Sequence, residues 1–479
     1  MGCGCFCRLV VLLLTALALL FGCLCVPQVE RAYIKFVDTY TYGVPLAHLA
    51  LVVLGQVPRI WQVGGPLGVG PVWNPWLVDA TDAYSKGDGL MLFPNPDNIA
   101  SSYMLARVTH EKVREVHHNP TAKRDISKFI SVETATSPPG YFADGVLPTL
   151  LQLNTDDPKR YAHRDLLSAT MPSIAQSPDH VPGFQAPPGV SAQDLVRDIS
   201  LHLWLPLKMV TNLVQDVFAF NFFRHAFEVD LSHEELQMLK EWLSVHSRII
   251  VGLSSISGGK RCAELAKVLE DKVAAGAFGQ RLMKEAERRG MVGADRLRKV
   301  IFEFSFAGFG GDGPGGGLAT MKLLRLLQSK PEKYVPMFKK DPEAFILEVI
   351  RTRGGGGAGM NPWIVESTQT HTLSTGRVVT ETAGSHGATI ALHANHDPAV
   401  FGGPKRDLDY ALAFMPGREN ADRFLSFVAE YGEIKKCPNV TGCAEAPRFC
   451  MGTFVLQRIM KQIGFFYIEG LESQGRQEM

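Results

Sequence analysis

A cysteine near the C-terminus has the surroundings of a reactive or metal-binding thiolate. Cys450 lies between Arg448 and Gly452, directly before an amphipathic run that predicts a helix over residues 452–469. The positive end of a helix dipole, its backbone N–H groups and a nearby arginine all stabilise a thiolate. Gly452 has no side chain, so a flat group can lie close to the backbone there. For this motif alone, a small buried hydrophobic residue is the plainer interpretation.

A glycine-rich segment in the middle of the chain follows an aromatic run that begins at Phe302. Its spacing, Gly308-x-Gly310-x-x-Gly313, matches the dinucleotide-binding fingerprint, which requires a strand before it and a helix after it. Pro314 stands where that helix should open, and no second parallel strand follows at the right distance. The alternative is a helix that glycines distort where a flat group approaches closely. A phosphate-binding P-loop is excluded, because no Gly-Lys-Ser or Gly-Lys-Thr follows.

Two further motifs involve charged residues and histidines. Glu348 and Arg351 are three residues apart in a predicted helix, so they share one face and can form an ion pair. His396 is followed by Asp-Pro-Ala-Val-Phe401, and a second segment further on ends in Pro-Gly-Arg418. Taken alone, these two segments are ordinary loops with turn residues. The pair His393-x-x-His396 could bind a metal, but no third ligand accompanies it.

Apolar residues at three- and four-residue spacing predict helices over much of the chain. The predicted helical regions are 99–115, 194–250, 264–299, 318–351 and 452–469. Ser232 is followed three residues later by an acid, which predicts a new helix start there. Short strand-like runs occur at 89–94, 370–373, 377–380 and 389–392. The sequence therefore predicts a mainly α fold with a small β region before the cysteine.

Composition limits the function classes. The chain has 479 residues, of which 46% are hydrophobic, which is ample for a large core. Its 49 basic and 48 acidic residues leave a net charge of +1. Because binding to a phosphate backbone needs an excess of basic residues, we expect no nucleic-acid partner.

The N-terminus predicts a membrane anchor or a signal segment. A long apolar run, residues 9–26, follows Arg8 and ends at Pro27. It is near the shortest length that spans a bilayer as a helix, and an uncleaved anchor is favoured over a cleaved signal peptide. We therefore divide the chain into a hydrophobic segment, 1–26, and one large domain, 27–479.

The cysteines indicate a reducing compartment rather than a disulfide framework. Five of the nine lie in the first 25 residues, which leaves Cys262, Cys437, Cys443 and Cys450 for the folded part. A disulfide between Cys437 and Cys443 remains open, because a loop of this length can close.

Four of these motifs occur in an order that resembles the cytochrome P-450 superfamily. The order is a glycine-containing helix, Glu-x-x-Arg, an Asp-Pro-x-x-Phe stretch ending in Pro-x-Arg, and Arg-x-Cys-x-Gly. The resemblance covers most of the chain after about Leu90. It implies the P-450 fold, which is mainly α with a small β region, and it implies haem b as the cofactor.

The resemblance also implies roles for individual residues. Cys450 would bind the haem iron as the axial thiolate, and Gly452 belongs to the same haem-binding motif. Arg448 and Arg164 would contact the haem propionates, the latter in a stretch where Arg160 replaces the usual His. The remaining matched residues form the family's structural triad, Glu348, Arg351 and Arg418.

The central helix departs from ordinary members of the family. Its expected catalytic segment is Ala307, Gly308, Phe309, Gly310 and Gly311, without the acid and threonine that deliver protons to bound dioxygen. The segment is similar to the branch that acts on fatty acid hydroperoxides, which includes allene oxide synthases and hydroperoxide lyases. Ala307 stands where that branch has Asn.

A second departure precedes the cysteine. The family's Phe-x-x-Gly is absent, since Cys443 and Ala446 replace the two residues. This broken motif leaves open a haem-binding protein without turnover.

A thiolate ligand favours cleavage of an O–O bond, and a hydroperoxide already contains that bond. We therefore expect an enzyme that rearranges or cleaves lipid hydroperoxides without a reductase. The alternative is a monooxygenase that uses dioxygen and a redox partner on a small lipophilic substrate. In either case we expect attachment to the endoplasmic reticulum or another organelle membrane.

Overall fold

The computed structural model describes most of the chain beyond residue 84. The described residues are 15, 29, 33, 84, 86–94, 103–119, 123–124, 158–171, 183–204, 212–250, 259–309, 316–353, 360–374, 376–426, 429–437, 450 and 452–477. Of segment 1–26, only Thr15 belongs to this part, so the anchor stays a prediction. Within these ranges, no helix is both long and apolar enough to cross a membrane.

The structure is mainly helical, as predicted. In chain order, its helices are α1 (His110–His118), α2 (Pro158–Thr170), α3 (Ala192–Trp204), α4 (Asn212–Phe227), α5 (His233–Ile250), α6 (Gly259–Ala275), α7 (Ala277–Arg288), α8 (Gly293–Phe309), α9 (Gly316–Ser329), α10 (Pro331–Lys340), α11 (Pro342–Arg353), α12 (Ala391–Ala394), α13 (Pro398–Phe401), α14 (Leu408–Leu412), α15 (Tyr431–Ile434) and α16 (Thr453–Gln477). The three long predicted regions, 194–250, 264–299 and 318–351, each divide into three helices. The predicted C-terminal region, 452–469, corresponds to the single helix α16.

Local sequence signals explain several helix starts. The Ser232 backbone N–H donates to Glu235 Oε2 at 2.6 Å, and the Glu235 N–H donates to Ser232 Oγ at 3.2 Å. This reciprocal pair is the predicted capping box, and it starts α5. Pro331 and Pro342 occupy the first positions of α10 and α11, where a missing N–H costs nothing.

The β region consists of one five-stranded sheet and two small pairs. The strands are β1 (Leu90–Pro94), β2 (Tyr103–Arg107), β3 (Lys123–Arg124), β4 (Met360–Ile364), β5 (Gln369–Thr372), β6 (Val378–Glu381), β7 (His386–Ile390), β8 (Leu425–Ser426) and β9 (Ala429–Glu430). The large sheet has the order β1-β2-β7-β4-β3, with β2 and β7 parallel and the other pairs antiparallel. β5 and β6 form a hairpin.

Two sequence predictions in this region need correction. Residues 103–107, predicted as part of a helix, form β2, because this segment pairs with β1 on one side and β7 on the other. The predicted strand 389–392 ends at Ile390, and the chain turns into α12 at Ala391.

The main hydrophobic core lies among the helices, with α16 at its centre. Ile459, Ile463 and Tyr467 recur at four-residue spacing on α16 and are fully buried. Burial of such side chains stabilises the fold by about 2 kcal/mol each. Gly464 allows close packing, since a Cβ there would lie 2.5 Å from the ring of Phe338. The long C-terminal helix is thereby held firmly, and its first residue lies three positions after Cys450.

Candidate functional site

Cys450 lies just before the first turn of α16. Its carbonyl oxygen accepts hydrogen bonds from Thr453, from the backbone N–H at 3.2 Å and from Oγ1 at 2.6 Å. The thiol is not part of a disulfide, and the side chain is partly buried against the helical core. A Cβ built on Gly452 would have Cys450 Sγ, at 3.6 Å, as its near neighbour among the described atoms. Cys450 therefore stands directly before a helix N-terminus, with Gly452 next to its sulfur, while Arg448 lies outside the described residues.

Arg164 brings a buried positive charge to the same site from α2. This helix starts at Pro158 and places Arg160 and Arg164, four residues apart, on one buried face. Burial lowers the pKa of Arg164 to about 10, and electrostatic interactions with Cys450 and Tyr161 oppose that shift. The Arg164 guanidinium therefore interacts electrostatically with Cys450.

The three residues Glu348, Arg351 and Arg418 meet in a buried network. Arg351 Nε donates to Glu348 Oε2 at 2.8 Å, and its Nη2 donates to Oε1 at 2.8 Å. Arg418 Nη2 donates to the same Oε1 at 3.1 Å. Both arginines also donate to the backbone oxygen of Ala413. The network ties α11 to the loop after α14, and burial lowers the pKa of Arg418.

The central glycine segment begins inside a helix. The backbones of Ala307, Gly308 and Phe309 form the last turn of α8, while Gly310 and Gly311 lie outside the described residues.

The aromatic run before this segment is helical. Residues 302–306 belong to α8, so no strand precedes the glycines and the dinucleotide-binding alternative is wrong. Phe304 packs against Phe222 and Phe227, with ring centroids 6.3 and 6.1 Å away. It is a core residue.

The two histidines of the His-x-x-His motif are buried structural residues. His393 is part of α12, and His396 follows that helix. Burial, with a contribution from the charge of Arg351, lowers the pKa of His396 well below its ordinary value. Among the described side chains, no group of three or more His, Cys, Asp and Glu residues could hold a metal ion. The metal-binding interpretation of this motif therefore fails for the described residues.

Cys437 lies outside the site and is disulfide-bonded, and its partner is not among the described side chains. The sequence left a disulfide between Cys437 and Cys443 open, and Cys443 lies outside the described residues.

Sequence reasoning missed a buried ion pair in the β region. Arg107 on β2 donates to Glu381 on β6 through both Nη atoms, at 2.6 and 2.5 Å. The ring of Trp363 covers the Arg107 guanidinium at 4.5 Å. No sequence signal could reveal this pair, because 274 positions separate its members.

A second missed cluster joins α1 to the segment around α15. Arg114 and His118, one turn apart on α1, contact Glu433 at 2.8 and 3.0 Å. Arg423 Nε donates to Glu430 Oε1 at 2.9 Å. This cluster borders a surface cavity of about 880 Å³ that does not include Cys450. We regard the cluster as structural, since it bears no nucleophile.

Comparisons with known proteins identify the fold. No protein-family model matches the chain, and no curated protein matches it. The structure of cytochrome P-450 CREJ is similar, with a TM-score of 0.53 at 14% identity over 83% of this chain and 90% of that one. An intact type IV self-sufficient cytochrome P-450 monooxygenase gives a TM-score of 0.50 at 16% identity, over 83% of this chain and 48% of that one.

A third structure, full-length CYP116B46 from Tepidiphilus thermophilus, gives a TM-score of 0.50 at 13% identity, again over 83% and 48% of the two chains. The present chain thus spans about half the length of these last two proteins. Similarity at such low identity reports on the fold. This chain therefore has the cytochrome P-450 fold.

Proposed function

We propose that this chain is a haem-thiolate enzyme in which Cys450 binds the iron of haem b. The observation that carries the proposal is the position of Cys450 directly before the N-terminus of α16. The buried guanidinium of Arg164 interacts electrostatically with this cysteine. A helix N-terminus and a buried arginine both favour the thiolate, which is the form that binds iron.

The described residues fit a haem group. Arg164 is 2% exposed, and a buried guanidinium of this kind suits a haem propionate. Among the described atoms, Cys450 Sγ is the neighbour that a Cβ on Gly452 would meet, so a glycine here lets a flat ring come close to the sulfur. Gly452 would therefore let the haem ring approach the backbone. Cys450 would bind the haem iron, and Arg164 would bind a propionate.

Bound haem would supply iron-centred oxidation chemistry, which a thiolate ligand directs towards cleavage of O–O bonds. The protein's own contribution is to hold the ligand rigidly. α16 fixes the backbone of Cys450 through Thr453, and the Glu348 network fixes α11 against the loop that carries Arg418.

For the reaction, we favour monooxygenation of a small lipophilic substrate with electrons from a redox partner. The similarity to a self-sufficient monooxygenase supports this choice, while the sequence-based expectation of hydroperoxide chemistry gains no support from the comparisons. Rearrangement of a fatty acid hydroperoxide is the second candidate. It is favoured by one observation, the lack of an acid and a threonine between Ala307 and Gly311.

A paired experiment separates the two reactions. The full chain, loaded with haem, is given lipophilic substrates with a reductase, NADPH and air, and separately a fatty acid hydroperoxide without air or reductase. NADPH-dependent hydroxylation that Cys450→Ser abolishes would support the monooxygenase. Hydroperoxide loss that needs no electron donor would instead establish the second candidate. Failure of both reactions by a haem-loaded protein would contradict an enzymatic role and leave a haem-binding protein without turnover.

We also propose that residues 1–26 attach this domain to a membrane. The apolar run 9–26 supports the proposal. Cell fractionation tests it: the full chain should stay with membranes after alkaline carbonate washing, and a chain without residues 1–26 should be released. Release of both proteins would contradict the anchor.

A further inference from the structure

Basic side chains are buried on both α2 and α8. From α2 come Arg160, His163 and Arg164, which are 5%, 2% and 2% exposed. From α8 come Arg296 and Lys299, which are 5% and 3% exposed. On α8 the two residues are three positions apart, and on α2 Arg160 precedes His163 by three positions and Arg164 by four, so the members of each set lie towards one side of their helix. Charged groups are rarely buried to this degree without a specific role.

One contact joins the two helices within this cluster. Arg296 Nη1 lies 3.1 Å from His163 Nδ1, and both side chains are buried. A guanidinium nitrogen can only donate, so Nδ1 must accept and the imidazole carries its proton on Nε2. Arg296 therefore fixes both the orientation and the tautomer of the His163 ring.

His163 immediately precedes Arg164, whose guanidinium interacts electrostatically with Cys450. A restraint on the His163 ring is therefore a restraint on the part of α2 that carries Arg164.

We infer that Arg296 is a positioning residue for the haem-thiolate site: through its contact with His163 it holds the part of α2 that presents Arg164, and so keeps the Arg164 charge at the site. The inference rests on the proposed function. It concerns a contact from α8 that lies outside the Cys450 and Glu348 motifs.

The test compares two arginines of the same helix. Arg298 pairs with Glu270 at 2.9 Å and with Asp295 at 3.4 Å, and its side chain is 26% exposed. Arg296→Gln and the matched control Arg298→Gln are purified with haem. We then measure transfer of haem to apomyoglobin and the midpoint potential of the iron. Arg296→Gln should lose haem about tenfold faster, as for other residues that support a metal ligand, and its potential should be more negative. Arg298→Gln should match the wild type in both.

Two further variants keep the test decisive if Arg296→Gln does not fold. Arg296→Lys keeps a donor towards His163 Nδ1, so its haem loss and potential should lie closer to the wild-type values than those of Arg296→Gln. His163→Gln breaks the same contact from the α2 side, so it should lose haem faster. Wild-type haem loss in His163→Gln or Arg296→Gln would overturn this inference alone. A wild-type protein that holds no haem would overturn the proposed function together with it.

Discussion

Replacing Glu348 by glutamine would leave two buried guanidinium groups around a neutral amide. The Glu348 carboxylate is 4% exposed and accepts from Arg351 and Arg418, which are 1% and 8% exposed. It also accepts from the backbone N–H of Met415 at 2.9 Å. Removing one partner of a buried ion pair costs about 3–5 kcal/mol, because the remaining charges stay desolvated. We expect Glu348→Gln to lower the free energy of unfolding by about that amount.

The assay is urea-induced unfolding followed by circular dichroism, with a partly exposed acid as the matched control. Glu285 also accepts from two arginines, Arg288 and Arg289, and these contacts hold the pKa of its carboxyl at about 2. Because water reaches that cluster, where the Arg288 side chain is 69% exposed, Glu285→Gln should change stability far less than Glu348→Gln. A loss below about 1 kcal/mol in Glu348→Gln, the size expected for an exposed pair, would refute the account of the network.

Three further predictions concern acid, packing and the disulfide. Burial lowers the pKa of His110 from 6.5 to about 4, so the neutral ring stabilises the fold above pH 6.5 and this stability is lost as the pH falls towards 4. This loss amounts to about 3 kcal/mol. Between pH 6.5 and 4, the free energy of unfolding of His110→Asn should therefore change less with pH than that of the wild type. Equal slopes in the two proteins would contradict the assignment of this pKa shift to His110. Gly464→Ala should lower the free energy of unfolding by about 1–3 kcal/mol, because its Cβ would overlap the Phe338 ring. Gly183→Ala, where a Cβ would meet no described atom within 4 Å, should be neutral in the same urea titration. Cys437→Ser should reduce stability but leave the haem spectrum unchanged, and an altered spectrum would show that this cysteine takes part in the haem site.

Much of the helical fold could be predicted from the sequence, because long helices carry their own signals. The apolar spacing of residues 194–250 and the Ser232 capping box act within a few residues of each other. β2 could not be predicted in this way. Its residues, Tyr103–Arg107, include good helix formers such as Met104, Leu105 and Ala106. Pairing with β1 and β7 overrides that preference, and such pairing is invisible in a local window.

The residues of the candidate site fall into the same two groups, those with a local sequence signal and those without one. Glu348 and Arg351 could be paired from their spacing alone, since three residues in a helix place them on one face. Arg418 and Arg164 entered only through the resemblance, because long-range folding brings them to their partners. Arg296 gave no signal at all, since its contact with His163 depends on how α8 packs against α2.

The most direct test of the central claim is the absorption spectrum of the reduced, carbon monoxide-bound protein. The wild-type chain, reconstituted with haem, should show the red-shifted band of thiolate-ligated iron. Cys450→Ser should retain its helical circular dichroism but lose that band, while Cys437→Ser should keep it. A thiolate spectrum that survives in Cys450→Ser, or a wild-type protein that binds no haem, would contradict the assignment of Cys450 as the iron ligand.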